Sequence, residues 1–211
     1  MNSLADTAAW SWRVVAAAMS PLEMAAVAFG VLYLVLAIRQ NILCWPAALI
    51  GVLLSLVLFW DARLYMEAGL QIFYAAMAFY GWQQWRAGAS RRLESNLPVS
   101  TWPLRTHALA IAGTLAASAA IGTALARTDA AFPYLDTFTS IAAIVTTYMV
   151  ARKILENWIY WLVIDAIGVY LYTARGLYLY AALFVLYLVL VVLGYFRWLR
   201  DWRAQAAPAP A

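Results

Sequence analysis

The hydrophobic residues of this chain are gathered into long blocks, and this arrangement constrains the fold more than any other feature. Seven blocks of about 17–24 residues alternate with short polar breaks, and each is long enough to span a ~30 Å hydrocarbon core. Hydrophobic residues make up 66% of the sequence and charged residues 11%, against about 25% charged residues in an ordinary soluble domain. The pattern therefore predicts an all-α polytopic membrane protein with seven transmembrane helices.

The polar breaks also predict how the chain is organised. We expect an N-terminal lead-in over 1–20, a first three-helix unit over 21–86, a linking transmembrane helix over 101–126, a second three-helix unit over 134–199, and a disordered tail over 200–211. The seven spans are predicted at Pro21–Ile38, Ile42–Trp60, Leu64–Trp85, Trp102–Leu125, Tyr134–Val150, Asn157–Tyr172 and Leu177–Trp198.

The distribution of basic residues predicts the orientation. Of the fourteen Lys and Arg residues, four lie on the side of the N-terminus and ten lie on the opposite side. Cytoplasmic loops carry an excess of Lys and Arg, so the N-terminus is expected outside and the C-terminus in the cytoplasm. Because the basic residues sit in short loops rather than in a patch or arm, we expect no nucleic-acid partner.

Matching residues recur in the same order in spans 1–3 and spans 5–7. The matched pairs are Asn41 with Asn157, Trp45 with Trp161, Tyr74 with Tyr187, and Gly81 with Gly194. In this register Leu49 stands where the second unit has Asp165. Two three-helix units joined by one helix form a 3-1-3 parallel repeat, the arrangement of the SWEET sugar transporters. A substrate site is then expected between the units, near mid-membrane, and transport is the leading class of function.

The sixth span carries two tryptophans and a carboxylate on one face. Trp158, Trp161 and Asp165 stand at i, i+3 and i+7, which places Asp165 about 12 Å into the span. An ionised carboxylate at that depth costs about 2.5–3.5 kcal/mol on insertion scales, so it should face a cavity or a partner. Indole faces beside a carboxylate attract flat organic cations. A structural hydrogen bond for Asp165 and interfacial anchoring for the tryptophans stay open as alternatives.

Other polar residues in the spans are candidates for the same site. Gln71 and Tyr74 share a face of the third span, where the Gln71 amide could meet a carboxamide or pack against another helix. Asp136 and Thr139 belong to a weakly polar face of the fifth span, which either lines a path or packs closely. Asn41 either contributes to the site or caps the second helix. Trp45, the residue matched with Trp161, is a further candidate for the site.

The sequence offers little support for an enzyme or a metalloprotein. Cys44 is the single cysteine and His107 the single histidine, so neither a disulfide framework nor a metal site is expected. The chain has no G-x-x-x-x-G-K-[ST] loop, no G-x-S-x-G elbow and no H-E-x-x-H motif. We therefore predict neither a cofactor nor an enzymatic activity.

Several segments together resemble the PnuC family of bacterial vitamin transporters. The resemblance extends from about Leu22 to Trp198 and rests on these segments: Arg39–Pro46, Leu70-Gln71, Tyr80–Trp85, Asp136–Thr139, Ala151–Lys153, Glu156–Trp158 and Gly176–Tyr178. The motif W-x-x-W-x-x-x-[N/D], which marks the riboside transporters of the family, is present as Trp158, Trp161 and Asp165. The resemblance implies a multi-pass protein of the bacterial inner membrane with the 3-1-3 fold. It also implies facilitated diffusion, with a cytoplasmic kinase that traps the vitamin by phosphorylation.

The resemblance makes nicotinamide riboside, a flat cation, the expected substrate. Trp158 and Trp161 would form aromatic walls, Asp165 would meet the positive ring or a hydroxyl, and Gln71 and Asn41 would meet the carboxamide or ribose. Thiamine, whose thiazolium is also a flat cation, is the alternative vitamin. Riboflavin and deoxynucleosides are less favoured, because neither needs a carboxylate partner. A non-transporting receptor or scaffold and a homo-oligomeric assembly stay open.

Overall fold

The computed structural model describes residues 19–61, 63, 65–92, 97–128 and 132–206. Within these ranges the chain forms seven α-helices and no strand, so the all-α prediction is confirmed. The helices are α1 (Pro21–Ile38), α2 (Cys44–Asp61), α3 (Tyr65–Arg92), α4 (Leu104–Leu125), α5 (Pro133–Ala151), α6 (Asn157–Ala174) and α7 (Tyr178–Ala206). The expected lead-in over 1–20 lies almost entirely outside the described residues, as does the end of the expected tail, 207–211.

Local sequence chemistry determines where α1 begins. Ser20 caps the helix: its side chain accepts a hydrogen bond from the Glu23 amide at 3.2 Å, and the Glu23 carboxylate accepts one from the Ser20 amide at 2.6 Å. Pro21 follows at the first helical position, where its missing N–H costs nothing. The helix therefore begins at the predicted residue.

The helix α7 is longer than predicted, and the expectation of disorder from residue 200 is wrong for 200–206. Arg197 and Asp201 form an i, i+4 ion pair at 3.5 Å, and the Gln40 amide donates a hydrogen bond to Asp201 at 2.9 Å. Trp202 packs against the hydrophobic core. These contacts hold the last turns of α7 against the turn between α1 and α2, which composition alone does not reveal.

The helices form a six-membered ring with one helix outside it. In the first unit α2 contacts both α1 and α3, and in the second unit α6 contacts both α5 and α7. The two units meet along α3 with α5 and along α1 with α7, which closes the ring. The linking helix α4 packs on α5. This arrangement agrees with two three-helix units joined by one helix.

The turns between helices repeat with a constant spacing. Gln40 (φ 53°) and Lys153 (φ 50°) are both left-handed residues after a first helix, and Arg63 (φ 60°) and Gly176 (φ 73°) are both left-handed after a second helix. The members of each pair lie 113 positions apart (40 and 153; 63 and 176). The backbone bonds around Gln40 and Lys153 also match, since each residue's amide donates to the carbonyl three positions earlier. The two units thus share one register from turn to turn.

This register corrects part of the sequence alignment of the two units. Trp45 packs edge-on against Trp85 at 5.5 Å and 85°, and Trp158 packs in the same way against Trp198 at 5.3 Å and 88°. Trp45 therefore corresponds to Trp158, not to Trp161, and by the same spacing Asp165 corresponds to Val52, not to Leu49. The match through Asn41 and Asn157 was wrong because it aligned the two segments three residues out of register.

Five of the helices, all except α3 and α6, are long and apolar enough to cross a membrane by length and composition. The polar and aromatic residues of α3 and α6 lower the mean hydropathy of these two helices. In α6 they include Asn157 and Asp165, and both of these are buried. These two less apolar helices carry five of the predicted substrate-binding residues: Gln71, Tyr74, Trp158, Trp161 and Asp165.

Candidate functional site

A cavity of about 310 Å³ lies inside the ring, between the first unit and the inner faces of α5, α6 and α7. The first unit provides most of its wall, and the second unit contributes Thr147, Trp161 and Tyr187. The remaining lining residues are Ala26, Val27, Gly30, Tyr33, Trp45, Ala48, Gly51, Val52, Ser55, Tyr74 and Ala78. A cavity between the two units is where a parallel-repeat transporter holds its substrate.

The cavity combines large aromatic surfaces with a few hydroxyl groups, and none of its lining residues is charged. Five of the lining residues are aromatic: Tyr33, Trp45, Tyr74, Trp161 and Tyr187. Gly30 leaves room for the Tyr187 hydroxyl, because a Cβ at Gly30 would lie 3.3 Å from that oxygen. Such a lining suits a flat organic molecule that also carries hydrogen-bonding groups.

Asp165 lies beside the cavity without lining it. Asp165 is 4% exposed, and it follows Trp161 by one helical turn on α6. Tyr187 lies close enough to interact electrostatically with the carboxylate. Among the residues that the structure describes, no side chain donates a hydrogen bond to it. A buried carboxylate without a donor is costly, so the group is available to a ligand or a proton.

Trp158 occupies a different environment from Trp161. It is 1% exposed, and its ring lies over Gly194, where a Cβ would approach the indole to 2.5 Å. Its edge-on partner is Trp198. Trp158 therefore belongs to the packed core and does not form a second wall of the cavity opposite Trp161. Residues three apart on a helix differ in direction by about 60°, so the Trp158 indole can pack against Trp198 while the Trp161 indole lines the cavity.

Of the four residues predicted for the site in the first unit, two line the cavity and two do not. Trp45 and Tyr74 line the cavity. Gln71 lies one turn from Tyr74 on α3 and is half-buried, outside the lining. Asn41 is exposed, and its side-chain oxygen accepts a hydrogen bond from the Leu43 amide at 2.9 Å, in the turn that leads into α2. This bond lies in the turn before Cys44, the first residue of α2, so the Asn41 side chain neither lines the cavity nor bonds an amide of the helix itself.

Asp136 and Thr139 make local contacts at the opposite end of the bundle from Asn41. The Asp136 carboxylate pairs with Arg175, whose guanidinium lies over the Phe132 ring, 5.5 Å from its centroid. The Thr139 hydroxyl donates to the carbonyls of Leu135 and Asp136 in its own helix, each at 3.0 Å. Neither residue lines the cavity.

Sequence patterns did not reveal several lining residues. Tyr33 and Ser55 stand in largely apolar helices, and only their position on the inner face separates them from other tyrosines and hydroxyl residues. Thr147, in contrast, belongs to the weakly polar face of the fifth span that was expected either to line a path or to pack closely, and it lines the cavity. The pairing of Tyr74 with Tyr187 pointed to Tyr187, because both line the cavity from equivalent positions of the two units.

The ring of two three-helix units around an aromatic cavity defines a membrane transporter for a small organic molecule. Residues 20–200 match the family model described as nicotinamide mononucleotide transporter. The riboflavin/roseoflavin transporter RibM of Streptomyces davaonensis is 33% identical over 82% of this chain and 80% of its own length. The nicotinamide riboside transporter PnuC of Escherichia coli is 25% identical over 90% of each chain.

A solved structure shares the fold. The crystal structure of the vitamin B3 transporter PnuC superimposes with a TM-score of 0.70 at 22% identity, over 87% of this chain and 82% of that chain. The chain belongs to the PnuC family of vitamin transporters, and it is accordingly a multi-pass membrane protein and not an enzyme.

Proposed function

We propose that the protein carries nicotinamide riboside across the bacterial inner membrane by facilitated diffusion. The observation that carries this proposal is the Asp165 carboxylate, buried, without a hydrogen-bond donor among the described residues, and one turn from Trp161 in the cavity wall. Nicotinamide riboside has a flat, positively charged pyridinium ring. It could lie against the Trp161 indole while its charge compensates the carboxylate, a cation–π contact worth about 2 kcal/mol when desolvated.

The rest of the ligand would use the hydroxyl groups of the cavity. Ser55, Tyr33 and Tyr74 are in the lining and could bind the ribose hydroxyls. Gln71, one turn from Tyr74, could reach the carboxamide if the helices move during transport. Within this proposal the end of the bundle where α1 and α5 finish, which carries most of the Lys and Arg residues, faces the cytoplasm. A cytoplasmic kinase then traps the vitamin by phosphorylating it.

Riboflavin is the second candidate, and two observations favour it. The relative RibM, at 33% identity, is a riboflavin/roseoflavin transporter. The lining itself carries no charge and has five aromatic residues, which also suits the neutral isoalloxazine ring. Thiamine remains a third candidate, since it would use Asp165 in the same way as nicotinamide riboside.

Uptake into proteoliposomes separates these candidates. The purified protein would be reconstituted and presented in turn with radiolabelled nicotinamide riboside, thiamine and riboflavin, with protein-free liposomes as the control. If the proposal is correct, uptake of nicotinamide riboside is saturable and stops when its concentrations inside and outside the liposomes are equal. Saturable uptake of riboflavin alone would replace it with the second candidate, and no uptake of any of the three would contradict it.

A further inference from the structure

A buried polar cluster closes one end of the ring. We call this end, where α1 and α5 finish and α7 extends to Ala206, the basic end. The cluster, here named the axis cluster, consists of Gln40, Trp85, Lys153, Trp198 and Asp201. Gln40 comes from the turn between α1 and α2, and Lys153 from the turn between α5 and α6, so the cluster joins the two units.

Lys153 is the centre of this cluster. Lys153 is 0% exposed, and its ammonium donates a hydrogen bond to the Gln40 side-chain oxygen at 3.0 Å. The same nitrogen lies 4.4 Å from the centroid of the Trp85 ring. The Gln40 amide in turn donates to Asp201 at 2.9 Å. The positive charge is thus balanced through an amide and an indole face, not by a directly bonded carboxylate.

The contact joins equivalent residues of the repeat. Gln40 and Lys153 are 113 positions apart, the spacing that relates the two units, and so are Trp85 and Trp198, whose rings lie 6.3 Å apart. Equivalent residues of two related units can touch each other only near the axis that relates the units. The axis cluster therefore stands on the central path between them, and Trp85 packs directly against Trp45 of the cavity wall.

The backbone at both positions is strained. Gln40 and Lys153 adopt φ of 53° and 50°, a conformation that costs a residue with a Cβ about 1–2 kcal/mol. Such conformations persist only where the surroundings hold them, and they are common in segments that switch between states. Here the hydrogen bond between the two side chains links one strained turn directly to the other.

We propose that the axis cluster is the closed gate of the transporter at the basic end, with the Lys153–Gln40 hydrogen bond as its latch. Transport requires the cavity to open to this side, and opening separates the two turns and moves the Lys153 ammonium into water. Hydration of the ammonium offsets the loss of its bonds to Gln40 and Trp85, so the latch can open at modest cost. This inference rests on the membership of a transporter family and does not depend on which vitamin is carried.

Thiol labelling of the cavity tests the gate. Cys44 is the single cysteine of the chain, so a Cys44→Ala background with Ser55→Cys carries one reporter in the cavity lining. A membrane-impermeant maleimide is applied to the face of the basic end in membrane vesicles. Lys153→Met removes the latch and should raise the labelling rate about tenfold, the change expected when one hydrogen bond to a charged group is lost. Arg152→Met, a neighbouring cation outside the cluster, should leave the rate unchanged.

A second variant covers the risk that Lys153→Met fails to fold. Gln40→Glu combined with Asp201→Asn exchanges the carboxylate and the amide, keeps the net charge and gives Lys153 a charged acceptor. This variant should slow both labelling and transport about tenfold, while Arg197→Gln, which removes only the neighbouring ion pair with Asp201, should change neither. Slower labelling in the exchanged variant supports the latch. If either Lys153→Met or the exchanged variant is folded and is labelled at the same rate as its control variant, the proposed latch is overturned.

Discussion

Trp158 and Trp161 are three residues apart on one helix, yet the first is sealed in the core against Trp198 and the second lines the cavity. This separation gives the two indoles different functions. Trp158 holds α6 against α7 at the point where Gly194 leaves room for its ring. Trp161 is free to contact a ligand. The two residues therefore form a matched pair for testing the site.

Replacing Trp161 with Leu should weaken ligand binding with little effect on stability. Loss of a desolvated cation–π contact of about 2 kcal/mol corresponds to roughly a thirtyfold rise in Kd. Replacing Trp158 with Leu should instead lower the thermal stability, because removal of a fully buried indole costs roughly 3 kcal/mol or more. Ligand titration and thermal unfolding in detergent would be measured for both variants. The reverse pattern would show that Trp158, and not Trp161, contacts the ligand.

The glycines beneath the paired tryptophans should not tolerate a side chain. A Cβ at Gly81 would lie 2.2 Å from the Trp45 ring, and one at Gly194 would lie 2.5 Å from the Trp158 ring. Gly81→Ala and Gly194→Ala should each destabilise the protein by about 1–3 kcal/mol, the usual cost of overpacking a core. Gly113→Ala is the control, because a Cβ there meets nothing within 4 Å. Equal melting temperatures for all three variants would contradict the close packing.

Hydropathy was sufficient to predict the helices, because a bilayer demands long apolar segments whatever their packing. The first helix begins and ends at the residues that hydropathy predicts, and the capping box of Ser20 and Glu23 gives the local reason for its start. The extension of α7 could not be predicted in this way. It depends on Gln40, which is 161 residues distant from Asp201 in the sequence.

The site was only partly predictable for a similar reason. Helical spacing placed Trp161 and Asp165 on one face, but it could not show that Trp158 faces α7 rather than the cavity. That depends on Gly194, which lies on another helix. The sequence identified Lys153 only as part of a segment that resembles the family. Its burial could not be predicted, because burial depends on residues that are distant in the sequence.

Selective binding of a cationic vitamin depends most on the Asp165 carboxylate, and Asp165→Asn tests this dependence directly. The substitution keeps the size of the side chain and removes its charge, and loss of an attraction to a buried charge should raise the Kd for nicotinamide riboside at least about tenfold. Riboflavin is neutral, so its Kd should not change by a comparable factor. The decisive quantity is the Kd for nicotinamide riboside divided by the Kd for riboflavin. This ratio is measured by titration of the purified wild type and of the purified variant, and the two ratios are compared. An unchanged ratio would contradict a site built around Asp165 for a cationic vitamin.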